Sequence, residues 1–110
     1  MVQATWARQL ACRVMGGRRL KFMITFPLTH RDYEERVSRF LETGAPPPDG
    51  VELLGRWFTA SHNRGFMLAE TEDAKALFLW VSEWASLIDF VIEPVVTDEE
   101  AGALLKATKA

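Results

Sequence analysis

The sequence predicts one α+β domain, and two kinds of hydrophobic pattern support this prediction. Short apolar segments bounded by turn residues, typical of β-strands, fall at 21–28, 51–60, 65–71 and 89–96. Two segments with apolar residues at helical spacing lie after the first and the third of these strands. The resulting order βαββαβ is the split βαβ, or ferredoxin-like, arrangement, in which two helices cover one face of a four-stranded antiparallel sheet.

The first strand and helix are delimited by single residues. Pro27 cannot donate a ladder hydrogen bond, so it marks the end of the strand. Thr29 is the predicted N-cap of the helix, and Gly44 is its predicted C-terminal stop. Between them, one apolar stripe is formed by Tyr33, Val37, Phe40 and Leu41.

The second half of the domain carries similar signals. Gly55 indicates a β-bulge in the second strand, and Asn63 is expected to take a positive φ in the hairpin turn. Thr71 is the predicted cap of a second helix that extends to residue 88 and is apolar around more than one side. Thr97 and Glu100 form a capping box that opens a short third helix.

Length, composition and charge narrow the class of protein. The chain has 110 residues with 48% hydrophobic residues and a net charge of -2, which fits one globular domain. Residues 21–110 are acidic, which disfavours a nucleic-acid partner. No apolar run approaches the roughly 20 residues that cross a bilayer, so we expect no membrane association. The single cysteine, Cys12, excludes an internal disulfide and fits the cytoplasm.

Residues 1–20 differ from the rest, because they contain four arginines and no acid. We interpret this segment as a disordered leader or the product of an early start site, with the domain spanning 21–110. A targeting peptide or a nucleic-acid-binding arm is the alternative. Arg8 and Arg13 interrupt the apolar stretch that a secretory signal requires.

The predicted strands are apolar on both sides. Phe22 and Ile24 flank Met23, and Phe66 and Leu68 alternate with further apolar residues. An antiparallel sheet with one face in water should instead alternate between apolar and polar residues. A large exposed apolar patch is unusual on a monomer. We therefore expect a homodimer in which two sheets pack face to face around a twofold axis.

A family resemblance supports this architecture. The segments that carry it are Gly65-Phe66, Glu70-Thr71-Glu72-Asp73-Ala74, Glu83-Trp84-Ala85, Asp89-Phe90 and Glu93-Pro94-Val95. They resemble a family of small, mostly bacterial proteins known as domain of unknown function 3303, over about residues 20–105. That family resembles a branch of the dimeric α/β-barrel superfamily, whose members include small-molecule monooxygenases, haem-degrading enzymes, isomerases and stress-induced proteins. The resemblance implies the fold and a dimer, and it carries no agreed activity.

The superfamily resemblance also implies where a site would lie, namely between the sheet and the helices. Cofactor-free monooxygenases of this type often place an asparagine on the first strand, where this sequence has Thr25. Haem-degrading relatives place a histidine on the second helix, and segment 71–88 contains none. Both departures disfavour an oxygenase, and we expect no cofactor.

Five residues are the candidates for ligand binding: Thr25, Trp57, Glu70, Trp80 and Trp84. The tryptophans would stack on a flat ligand, although aromatic residues at such spacing more often fill a core. Glu70 and Glu93 are acids on otherwise apolar strands, and a carboxylate in a dry pocket is a stronger base than one in water. Glu70 is the better candidate for catalysis, because it lies in a segment that carries the family resemblance. The alternative for Glu70 is an ion pair at the end of a strand.

No other side chains form a recognisable chemical site. His30 and His62 should be exposed, and their separation makes no metal-site spacing. Our leading hypothesis is a small cytoplasmic homodimer that binds a small apolar molecule between sheet and helices. The alternatives are a cofactor-free monooxygenase- or isomerase-like enzyme with Glu70 as base, and a module that only dimerises.

Overall fold

The structure is a computed structural model that describes residues 19–109. The first strand, β1 (Leu20–Pro27), leads through α1 (Tyr33–Thr43) to a hairpin of β2 (Val51–Phe58) and β3 (Arg64–Thr71). The chain continues with α2 (Ala74–Ser82), β4 (Val91–Val95) and α3 (Asp98–Lys109). The predicted leader lies outside the described residues, except for Arg19 and Leu20.

The four strands form one antiparallel sheet in the order β2-β3-β1-β4. This order confirms the predicted α+β, ferredoxin-like fold. Ile24 of the central strand β1 lies opposite Met67 of β3 on one side and Ile92 of β4 on the other. The bulge predicted at Gly55 is confirmed, since the register of β2 against β3 shifts between Leu53 and Gly55.

The hydrophobic core lies on one face of the sheet, which we call the inner face. It carries Ile24, Met67 and Ala69, which are 5% exposed or less. Leu77 and Trp80 of α2 pack against them in one buried cluster. Because successive strand residues point to opposite sides, their neighbours in sequence form the other face, which we call the outer face.

The start of α1 differs from the prediction. Its N-cap is Asp32, at φ 62°, and not Thr29. The carbonyl of Thr29 instead accepts a hydrogen bond from the side chain of Arg36, so Thr29 belongs to the preceding turn. The predicted stop is confirmed, because Gly44 lies at φ 74° and donates its N–H to the Phe40 carbonyl.

The start of α2 also lies later than predicted. Asp73 is the N-cap and accepts the N–H of Lys75, whereas the Thr71 hydroxyl accepts the N–H of Asp73 in the turn before it. The helix ends at Ser82, short of the predicted residue 88, and irregular turns follow. In the hairpin, the positive φ falls on His62 (66°) rather than on Asn63.

The capping box before α3 is confirmed in both directions. The N–H of Thr97 donates to Oε1 of Glu100 at 2.8 Å, and the N–H of Glu100 donates to Oγ1 of Thr97 at 3.1 Å. Lys106 and Lys109 lie in the last turn, where positive charge suits the helix dipole. Within residues 19–109, none of the helices has both the length and the apolar composition to cross a bilayer.

Candidate ligand-binding cavity

A cavity of about 400 Å³ lies between the inner face and the helices α1 and α2. It is at the end of the sheet where β1 and β2 finish and the hairpin turns. Its wall is made mainly of apolar side chains from the strands and both helices, among them Phe26, Leu28, Val37, Phe40, Phe58, Met67, Trp80, Val81, Trp84, Ile88 and Phe90. The volume falls within the range of about 300–1,000 Å³ that is typical of small-molecule sites.

Four phenylalanines form a connected aromatic wall. The ring centroid of Phe26 lies 6.3 Å from that of Phe58 and 5.6 Å from that of Phe90. Phe58 in turn meets Phe40 of α1 edge to face, at 5.7 Å. Gly65 is required beside Phe26, because a Cβ atom at this position would collide with the phenylalanine ring. These ring contacts, two edge to face and one tilted, hold the rings in place and so fix the shape of this wall.

Two of the predicted ligand-binding residues, Trp80 and Trp84, line the cavity together. They are 3% and 8% exposed. The guanidinium group of Arg39 lies 4.7 Å above the ring of Trp84 and donates to the carbonyl of Glu83. This cation–π contact covers one side of Trp84 and helps to hold its ring in place.

Arg36 brings a buried positive charge to the cavity wall. Its guanidinium group donates to the carbonyl of Thr29 at 2.6 Å and to the carbonyl of Arg31. These bonds tie the side chain of Arg36 to the connection between β1 and α1.

Arg56 of β2 brings a second positive charge to the same wall. It donates to the carbonyls of Gly44 and Ala45, each at 2.9 Å, and lies 5.1 Å above the ring of Phe40. Both carbonyls follow the C-terminal end of α1, where the helix dipole is negative. Desolvation lowers the pKa of Arg56, although a guanidinium group remains a cation at neutral pH.

The other three predicted site residues lie on the outer face, away from Trp80 and Trp84. Thr25 and Trp57 occupy one row across the sheet, because both pair with the same residue of β3. Glu70 lies on the same face, opposite Lys21 of β1. The structure therefore divides the predicted set between two surfaces of the sheet.

The bulge in β2 explains the position of Trp57. Before the bulge, Val51 and Leu53 point to the inner face, and simple alternation would place Trp57 with them. The extra residue reverses this alternation, so Arg56 points inward and Trp57 outward. Trp57 is 55% exposed, and its indole ring covers Gly55.

Glu70 takes part in an ion-pair cluster. Its Oε1 atom lies 3.6 Å from Nε of Arg19 and 3.7 Å from Nζ of Lys21. Arg19 also bonds Glu52, at 3.2 Å. The ion pair at a strand end that the sequence allowed for Glu70 is thus present. A catalytic role for Glu70 stays a prediction, which turnover by a Glu70→Gln variant would test.

A comparison with family models gives one match. The model described as Domain of unknown function (DUF3303) matches residues 20–109. The chain belongs to this family. The matched range contains every strand and helix described above, so the DUF3303 domain and the ferredoxin-like fold coincide here. No curated protein and no solved structure matches the chain.

The sequence reasoning missed both arginines that line the cavity of this DUF3303 domain, Arg36 and Arg56. Arg36 carried a signal, because it lies three residues after Tyr33 and four before Phe40 and therefore shares their helix face. Leu41, which we had expected in that stripe, is 76% exposed. A charged residue at a stripe position is unusual and could have identified this side of the cavity.

The histidines of the DUF3303 domain are exposed, as predicted. His62 lies at the hairpin turn and contributes to the lining of the cavity. Within the part of the chain that the structure describes, no group of three His, Cys, Asp or Glu residues is placed to hold a metal ion.

Proposed function

We propose that this chain binds a small apolar molecule in the cavity between the sheet and the helices. The observation that carries the proposal is a space of about 400 Å³ lined by four phenylalanines and two tryptophans. The cavity opens to solvent, since Phe58 and Tyr33 of its wall are 50% and 43% exposed. A module that only dimerises needs no such cavity. An apolar, partly aromatic molecule would fill the space and remove these rings from water.

The proposal includes a homodimer that forms through the outer face. Trp57 and Val91 are 55% and 53% exposed in the single chain, and the row between them consists of Phe66 and Thr25. The same face carries charges of both signs, in the cluster of Arg19, Lys21, Glu52 and Glu70. An apolar surface with mixed charges can complement a second copy of itself about a twofold axis. The single cysteine favours a cytoplasmic dimer.

Titration of the full chain with N-phenyl-1-naphthylamine, a neutral fluorescent apolar molecule, tests the cavity. We expect saturable binding by the natural sequence. Val81→Phe adds a ring inside the cavity wall, so the affinity should fall by about tenfold or more. The matched control is Leu79→Phe on the exposed side of the same helix, which should bind like the natural sequence.

Denaturant unfolding of both variants shows whether they keep the fold. Val37→Phe, on α1, fills the cavity from the opposite helix and serves if Val81→Phe does not fold. Undiminished binding by a folded, cavity-filled variant would place the probe elsewhere and overturn the proposal.

Native mass spectrometry of protein purified from its own host is a separate test. It shows whether the protein is a dimer and whether a bound ligand adds to its mass.

A further inference from the structure

The cavity contains positive charge with no acidic partner. Arg36 and Arg56 line it, and no Asp or Glu residue does. Within residues 19–109, no carboxylate lies within 4.0 Å of either guanidinium group. Residues 1–18 contain no Asp or Glu, so their side chains cannot supply one either. Among the residues that the structure describes, the positive charge of the site is therefore unbalanced.

The two arginines differ in how many of their N–H groups donate to main-chain carbonyls and in how exposed they are. Arg36 is 6% exposed, and its guanidinium group donates to two carbonyls of the turn before α1. Arg56 is half-buried, and a guanidinium group has five N–H donors. Its bonds to Gly44 and Ala45 use one hydrogen of each Nη atom. The second hydrogen of Nη1 faces the weakly accepting sulfur of Met67 at 3.9 Å. Within residues 19–109, the Nε–H and the second hydrogen of Nη2 have no hydrogen-bond acceptor.

The surroundings of Arg56 favour an anion. Burial removes water from the guanidinium group, and carbonyl dipoles compensate for that loss only in part. A charge-assisted hydrogen bond to an acidic group is about twice as strong as a neutral one, and low dielectric strengthens it further. The apolar wall begins directly beside the guanidinium group, because Met67 lies opposite Arg56 in the sheet and the ring of Phe40 lies beneath it. One cavity thus offers a cationic group next to an apolar, partly aromatic surface.

We infer that the ligand is an amphipathic organic acid, with its apolar body against the aromatic wall and its acidic group paired with Arg56. This inference rests on the proposed function, since it names the chemical class of molecule that the same cavity binds. It adds a specific recognition contact, which a purely apolar ligand would not use.

A matched pair of probes tests the inference on the full chain. 8-Anilinonaphthalene-1-sulfonate differs from N-phenyl-1-naphthylamine only by its sulfonate group. In Arg56→Met, the affinity for the sulfonate should fall by about tenfold or more, which corresponds to ~1.4 kcal/mol. The affinity for the neutral probe should stay within about twofold, since the apolar wall is unchanged.

Two further variants separate charge from structure. Arg56→Gln keeps an N–H donor for the carbonyls after α1 but carries no charge, so it should lose sulfonate affinity as Arg56→Met does. It also serves if Arg56→Met does not fold. Arg64→Met removes the same charge from an exposed arginine of β3 that does not line the cavity, and it should bind both probes like the natural sequence.

The outcomes distinguish this inference from the proposed function. Selective loss of the sulfonate in both Arg56 variants supports the inference. An equal loss of both probes would assign Arg56 to the shape of the cavity and overturn it, as would an equal loss of sulfonate affinity in Arg64→Met. Unchanged sulfonate binding in the Arg56 variants also overturns it, yet leaves the apolar cavity standing. If the natural sequence binds neither probe, the proposed function itself fails.

Discussion

Replacing Trp57 with alanine should separate the proposed dimer into monomers. Trp57 is 55% exposed in the single chain. With about 250 Å² for a whole tryptophan, an interface would cover up to about 140 Å² of it. At about 25 cal/mol per Å², this area contributes about 3.5 kcal/mol in one copy and about 7 kcal/mol in both. The sum is an upper bound, because buried area converts only partly into affinity.

We therefore expect the dissociation constant of the dimer to rise by about 100-fold or more in Trp57→Ala, which corresponds to ~2.7 kcal/mol. Sedimentation velocity over a series of protein concentrations at fixed salt measures this constant. The matched control is Phe78→Ala, since Phe78 is 69% exposed but lies on α2, away from the outer face. Circular dichroism of both variants establishes that the monomer fold is intact.

Two results would refute this account of the outer face. The first is a natural sequence that sediments as a monomer at every concentration, because its apolar outer face then has no second copy to bury it. The second is dissociation of Phe78→Ala while Trp57→Ala stays dimeric. That result would place the interface on the helices and leave the sheet exposed.

The remaining predictions concern stability. Gly65→Ala should destabilise the fold by about 1–3 kcal/mol in urea unfolding, because the new Cβ collides with a buried phenylalanine ring. Gly55→Ala meets the ring of Trp57, which is half-exposed in the single chain and can turn away, so its cost should stay below about 1 kcal/mol when unfolding is measured on the monomer, at concentrations below the dissociation constant of the dimer; equal costs would contradict this reasoning. Glu100→Ala should lose stability near neutral pH but not in acid, as unfolding curves over pH would show. The hydrogen bond from the N–H of Thr97 lowers the pKa of Glu100 in the folded state. A carboxylate whose pKa is lowered by folding stabilises the fold at pH values above its unfolded pKa. This stabilisation is lost as the pH falls through the folded pKa. A difference between variant and natural sequence that persists in acid would exclude this origin.

Local signals in the sequence predicted most of the fold. The stop at Gly44 and the capping box of Thr97 and Glu100 depend only on residues within one turn, and both are present. The starts of α1 and α2 were misplaced because each is preceded by more than one residue able to cap. The hydroxyl of Thr71 accepts the N–H of Asp73 in the turn before α2, and the carbonyl of Thr29 accepts from the side chain of Arg36 in α1, so neither threonine caps its helix. The sequence alone does not show which of two nearby polar residues caps a helix, because this depends on the backbone conformation of the turn before it.

The cavity was harder to predict than the fold, because its lining depends on which residues of β2 point to the inner face. Gly55 indicated a bulge, but only the register shows that the bulge turns Arg56 inward and Trp57 outward. A shift of one residue in a strand exchanges its two faces. Trp80 and Trp84 both line the cavity, although Trp84 lies in the turns that follow the end of α2 at Ser82.

The indole N–H signals of the tryptophans test the central claim most directly. Trp80 and Trp84 line the cavity, whereas Trp57 lies on the outer face. Full-length ¹⁵N-labelled protein would be titrated with N-phenyl-1-naphthylamine, and the indole signals assigned by single tryptophan-to-phenylalanine substitutions. The account predicts that the signals of Trp80 and Trp84 shift together and saturate, while the signal of Trp57 stays in place. Saturable binding that moves only the Trp57 signal would contradict the cavity as the ligand site.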